Sequence, residues 1–155
     1  MKIIVDADAC PVKHLVEKVA REFQIPVLMI IDTSHVLTSD YSEILTVSKG
    51  ADSVDFAVIN RTEKHDIIVT QDYGVAAMAL GKGAAAIHQS GRWYTNDTID
   101  QLLFTRHIVK VARRSNKKAH IKGPKKRTKE DDLRFEASFR SLCEACIKTA
   151  ESSEH

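Results

Sequence analysis

Three short apolar runs without polar interruption, Ile3-Ile4-Val5, Val27-Leu28-Met29-Ile30-Ile31 and Ile67-Ile68-Val69, constrain this chain more than any other feature. A strand with one face in water alternates apolar and polar residues. A strand without alternation is covered on both faces, as in a parallel sheet held between layers of helices. The intervening segments supply those layers. After Pro11, a residue suited to a first helical turn, Val12, Leu15, Val16, Val19, Ala20 and Phe23 recur at helical spacing. Residues 32–43 read as a polar loop, Ile44 to Val47 as a short strand, and residues 52–63 as a helix after Gly50. Thr70 closes the run that starts at Ile67, residues 73–81 form a short helix, and Ala84 to Ile87 form a fifth strand among Gly81, Gly83 and Gly91. Two long helices follow, about 97–115 and 129–150, separated by a basic loop that contains Gly123-Pro124. Phe135, Phe139, Leu142, Cys143, Cys146, Ile147 and Ala150 make the buried stripe of the second, and Thr128 with Asp131 resembles a capping box at its start. The pattern predicts an α/β fold of three layers: a doubly wound, mostly parallel sheet of four to five strands with two long C-terminal helices.

A chain of 155 residues suits a single domain. No apolar run approaches the roughly 18 residues of a membrane span. The N-terminus lacks the basic and apolar regions of a secretory leader, and three cysteines do not make a disulfide framework. A soluble, cytoplasmic protein is expected. The formal net charge of +2 hides a strong asymmetry: residues 1–105 carry −5, residues 106–129 carry +11 with no acid, and residues 130–155 carry −4. An acidic body with one concentrated basic segment suits a polyanionic partner beside a cation site.

In doubly wound folds ligands bind outside the carboxyl ends of the strands. Asp6 and Asp8 lie just past the first strand and Asp72 just past the fourth, while Asp52 and Asp55 open a helix, three residues apart. Each has an ordinary reading: Asp52 and Asp72 as helix caps, Asp6 and Asp8 as turn residues. Together they bring acids from three segments to one rim. Carboxylates gathered there repel one another unless a cation neutralises them, and hard oxygen ligands suit Mg²⁺ or Mn²⁺.

The blocks IIVDADACPVK (3–13), KGADSVDFAV (49–58), IIVTQDYGVA (67–76) and GPKKRTKEDDLRF (123–135) resemble the YaiI/YqxD family of uncharacterised bacterial proteins, across essentially the whole chain. That family is similar to PIN-like domains, a group of metal-dependent ribonucleases. The resemblance implies an aspartate ending the first strand with a polar residue two later, which Asp6 and Asp8 match, and an acid opening a central helix, which Asp55 matches. It implies a T-x-D sequence after the next strand, matched by Thr70-Gln71-Asp72, with Asp52 as a substitute for Asp55 or an extra ligand. The later fourth acid of the PIN pattern has no clear counterpart; Asp97 and Asp100 are the nearest, and neither follows a strong strand.

On this reading Asp6, Asp8, Asp55 and Asp72 are catalytic and, with Asp52, hold one or two Mg²⁺ or Mn²⁺ ions that activate water for phosphodiester hydrolysis in RNA. Lys13, Thr70, Arg113, Arg114, Lys117, Lys118, Lys122, Lys125, Lys126 and Arg127 are expected to meet the substrate, the cations through backbone phosphates. None of the chain's 9 aromatic residues lies in 106–129, so the basic segment offers no base-stacking platform. Two other readings compete. A strand followed by D-x-D also opens haloacid-dehalogenase-type phosphatases, with Asp6 as nucleophile and Asp8 as acid, although Cys10 stands where those enzymes have Thr or Val. A non-catalytic RNA-binding module is the third. Cys10, His14, His88 and the C-x-x-C pair Cys143 and Cys146 read as structural. Arg92, Trp93 and Tyr94 suit either a substrate contact or an anchor for the long helix.

Overall fold

The computed structural model describes residues 1–115 and 125–153. Five strands, β1 (Ile3–Asp6), β2 (Val27–Asp32), β3 (Glu43–Val47), β4 (Ile67–Val69) and β5 (Ala85–Ile87), alternate with helices α1 (Lys13–Phe23), α2 (Ser53–Arg61) and α3 (Tyr73–Gly81), followed by α4 (Asn96–Ser115) and α5 (Lys129–Ser153). The strands form one sheet in the order β3-β2-β1-β4-β5, and every neighbouring pair is parallel. The doubly wound α/β fold expected from the apolar runs is therefore the fold observed. β2 runs one residue further than its apolar run and ends on Asp32, and α2 ends at Arg61, short of the expected 63.

The unbroken runs are sorted by the two-residue period of a strand. Ile3, Val5, Val27, Met29, Ile31, Ile67, Val69 and Ile87 face one core, with Val16 and Val19 of α1 and Phe135, Phe139 and Leu142 of α5. Ile4, Leu28, Ile30, Ile68 and Ala86 face the other, with Val54 and Val58 of α2, Val75 and Ala79 of α3 and Ile99 of α4. Both faces of β1 are thus fully covered, which is why its residues need no polar alternation. Phe135 and Phe139 stack at 5.3 Å between ring centroids, and Arg140 of α5 grips Glu22 of α1 through two bonds of 2.9 and 2.8 Å. The capping box at the start of α5 is reciprocal: the Thr128 N–H donates to Asp131 Oδ2 at 2.8 Å, and the Asp131 N–H donates to Thr128 Oγ1 at 3.3 Å.

The strand order marks the edge of the sheet at which folds of this kind open a crevice. From β1 the chain steps outward to β2 and then β3, crosses back through α2 to β4 on the other side of β1, and continues to β5. The direction of winding reverses between β1 and β4, so the loops leaving their carboxyl ends diverge and open a crevice. Among the described residues no helix is long and apolar enough to cross a membrane.

Candidate metal centre

Asp6 ends β1, and the buried Ala7 beyond it donates its N–H to the Ile30 carbonyl at 3.0 Å. Ala9 then takes a left-handed conformation, φ 55°, which turns the chain sharply toward α1. The corresponding turn after β4 is stitched to this one. Thr70 Oγ1 donates to Asp6 Oδ2 at 3.2 Å and accepts the Asp72 N–H at 3.1 Å, while Gln71 Nε2 donates to the Ala9 carbonyl at 3.0 Å. Thr70, expected to touch substrate, is instead buried, and its side chain positions two acids. The Tyr94 hydroxyl donates to the Thr70 carbonyl at 3.1 Å and fixes the same turn from behind.

Asp72 caps α3 through Oδ1, which accepts the N–H groups of Gly74 and Val75 at 2.7 and 3.2 Å. Capping and site membership are compatible, because both bonds use one oxygen. Asp52 stands at the N-cap position of α2 yet makes no capping bond with its side chain, and its backbone is left-handed at φ 63°. The helix-cap reading therefore fails for Asp52 and holds for Asp72. Asp55 is in the first turn of α2.

Asp6, Asp8, Asp52, Asp55 and Asp72 line one open cleft of about 610 Å³ at the carboxyl edge of the sheet, and Asp32 joins them. Among the described residues no lysine or arginine lines it. Asp6 shows the electrostatic consequence: burial, then the charge of Asp55, then those of Asp8 and Asp72, push its carboxyl up from 3.8 to about 6, against the Thr70 hydrogen bond that lowers it. Burial and the charges of Asp72 and Asp52 likewise raise Asp55.

Asp32 and His35 were not expected here. His35 Nδ1 lies 3.1 Å from Asp8 Oδ1 and 3.2 Å from Asp32 Oδ1, and one ligand atom of each of these three residues lies within 4.8 Å of the others. Asp8 Oδ1 is buried and accepts no directed hydrogen bond among the described residues. Bonds from Ser34, side chain first and then backbone, hold the Asp32 carboxyl below its usual range, with weaker help from His35. The signal for Asp32 was present in the sequence, since the β2 run ends in an aspartate just as the β1 run does.

The expected substrate contacts are described in part. Lys13 is half-buried at the start of α1, Lys125 and Lys126 are exposed, and Arg127 donates from Nε to Asp132 Oδ1 at 2.6 Å. Arg113 and Arg114 belong to α4, with side chains outside those described, and Lys117, Lys118 and Lys122 lie outside the described residues. Burial raises the thiol of Cys10, and burial pushes that of Cys143 up to about 12; neither is poised as a thiolate. Trp93 anchors the loop after β5 to α5, its indole N–H donating to Ser138 Oγ at 2.9 Å, where Gly91 at φ 93° lets the chain pass close to Arg134 and Phe135.

A five-stranded parallel sheet with helices on both faces and a carboxylate-lined crevice at its winding reversal defines a doubly wound α/β protein. Sequence comparison makes the assignment specific. The family model described as "Uncharacterized BCR, YaiI/YqxD family" matches residues 4–145, and the chain belongs to that family. It is 63% identical over 142 residues to a UPF0178 protein of Clostridium acetobutylicum and 62% identical over 143 residues to one of Lachnoclostridium phytofermentans, covering in each case 92% of this chain and 96% of the relative. A UPF0178 protein of Natranaerobius thermophilus is 44% identical over 153 residues, 99% of this chain and 100% of its own. No solved structure matches the chain.

Proposed function

We propose that this protein is a divalent-metal-dependent ribonuclease whose site is the aspartate cleft between β1 and β4. One observation carries the reading: acids from the ends of β1 and β2, the start of α2 and the turn after β4 share a single open cleft, which no lysine or arginine among the described residues lines. Like charges so placed raise one another's proton affinity, and a bound cation removes that penalty. The donors fit a hard cation, being carboxylate oxygens for the most part; one of them, the buried Asp8 Oδ1, accepts no directed hydrogen bond among the described residues and has only the His35 ring nitrogen beside it. Asp6, Asp8, Asp55 and Asp72 would hold the ion or ions, with Asp52 within the same cleft. Bound there, Mg²⁺ or Mn²⁺ would supply an activated water and neutralise charge on the phosphoryl group.

The protein's own groups prepare that chemistry. Thr70 fixes the orientation of Asp6 through its hydroxyl, and the α3 N-terminus fixes Asp72. Lys125 and Lys126, exposed ahead of α5, would contact phosphates of the strand without reading its sequence. The T-x-D turn and the D-x-D turn are the features shared with PIN-like ribonucleases, and they favour RNA as the substrate.

The purified protein should cleave single-stranded RNA in Mn²⁺, and Asp6→Asn and Asp72→Asn should each abolish cleavage while the far-ultraviolet circular dichroism stays unchanged. Equal cleavage by wild type and both variants would overturn the proposal.

A further inference from the structure

Phe56 and Met78 are large apolar side chains that the fold leaves in water, 62% and 55% exposed. Helical geometry puts them there. Val54, Val58 and Ile59 turn the inner face of α2 to the sheet, and Val75, Ala76 and Ala79 do the same for α3, so Phe56 and Met78 stand on the outer faces of two adjacent helices. Between them runs a groove of about 210 Å³ whose remaining lining includes Asp52, Asp55 and Asp72. The same three carboxylates line the acid cleft. The apolar groove and the acid cleft are therefore two compartments that share a wall.

That juxtaposition selects the occupant. The groove is lined by a flat aromatic ring, a polarizable thioether and carboxylate oxygens, which accept hydrogen bonds and donate none. An aliphatic chain or an apolar helix would desolvate the Asp52 carboxylate and offer it no donor. A nucleobase suits both kinds of lining: its face stacks on Phe56 and Met78, and its exocyclic amino or ring N–H groups can donate to Asp52, the groove carboxylate that the ion does not require. A base seated there also places its own phosphate toward the neighbouring cleft. We propose that Phe56 and Met78 form a stacking subsite for one unpaired nucleobase of the substrate strand, next to the phosphate position in the acid cleft. The proposal rests on the ribonuclease reading for the identity of the strand. It also relocates the stacking surface, which the basic segment lacks, to the outer faces of α2 and α3.

The test uses the full chain and 2-aminopurine ribonucleoside 5′-monophosphate in Mg²⁺, a fluorescent probe with no internal phosphodiester to cut. Wild type should quench the probe on titration. Base–aromatic stacking contributes about 1–3 kcal/mol, so Phe56→Ala should weaken binding by roughly 5- to 150-fold, while Phe56→Trp restores it. Thermal unfolding of Phe56→Ala should match wild type, because the side chain is mostly in solvent. Unchanged affinity in Phe56→Ala, or no quenching by wild type, overturns the subsite even if wild type cuts RNA and Asp6→Asn does not. A wild-type dimer that Phe56→Ala converts to monomer on gel filtration overturns it too, by assigning the face to a second copy. Quenching that depends on Phe56, in a protein that cuts no RNA, upholds the subsite and defeats the hydrolytic reading instead.

Discussion

Replacing Asp6 with asparagine should make the cation-free protein more stable while removing its function. The folded protein pushes the Asp6 carboxyl from 3.8 to about 6, chiefly by burial and by the charge of Asp55. Each unit of such a shift corresponds to about 1.4 kcal/mol, so ionised Asp6 costs the native state about 3 kcal/mol when no cation is bound. Asparagine removes the charge and keeps an oxygen for the Thr70 hydroxyl, leaving a net gain of about 2 kcal/mol, or roughly 4–8 °C in Tm for a chain of this size. The sign with pH follows from linkage. The native state holds this proton more tightly than the unfolded chain, so the wild type is relieved of the cost below about pH 4 and loses stability as pH rises through 6. Calorimetry in EDTA should therefore show the variant ahead at about pH 7.5 and behind wild type by about 1 kcal/mol at about pH 4 or below. Saturating Mg²⁺ should reverse the order at neutral pH, because only the wild type gains the binding free energy. An Asp6→Asn protein less stable than wild type in EDTA at neutral pH, or an advantage that persists undiminished in acid, would refute the reasoning.

Three further outcomes are expected. Asp66 is buried just ahead of β4, away from the carboxyl rim, and accepts the Lys2 ammonium at 2.6 Å and the N–H groups of Lys2 and Glu63 at 3.0 and 2.8 Å; Asp66→Ala should cost about 3–5 kcal/mol in urea unfolding yet leave metal affinity intact. Thr70→Val deprives the Asp72 N–H of its acceptor and Asp6 of its donor, so it should lower stability by about 1–3 kcal/mol and also reduce the cleavage rate, which a stability loss alone would not do well below Tm. RNA affinity should fall steeply with salt, and Lys125→Ala and Lys126→Ala should each reduce the slope of log Kd against log salt by about one; an unchanged slope in both would remove these lysines from the interface.

The parts of this fold that could be read in the chain were those whose cause is local. Ile3 to Val5 and Ile67 to Val69 lack polar alternation because both faces are covered, and that fact alone marks them as inner strands. Asp6 and Asp72 follow such strands directly, so the general rule for parallel sheets placed them at the rim. Strand order was not legible, since the pairing of β1 with β4 joins residues more than sixty positions apart. Asp32 was hidden by the polar sequence after it, which drew the end of β2 into a loop, and His35 reaches the site only because that loop folds back. Asp52 looks like a helix cap in sequence, and only its left-handed backbone shows that it does not act as one. The environment of Thr70 depended on Tyr94, from a distant loop, sealing the turn behind it.

Anomalous diffraction from a crystal soaked in Mn²⁺ tests the central claim most directly. A peak in the cleft among Asp6, Asp8, Asp55 and Asp72, with carboxylate oxygens at about 2.1 Å, is the predicted result. An intact protein at saturating Mn²⁺ with no peak in that cleft would contradict the account.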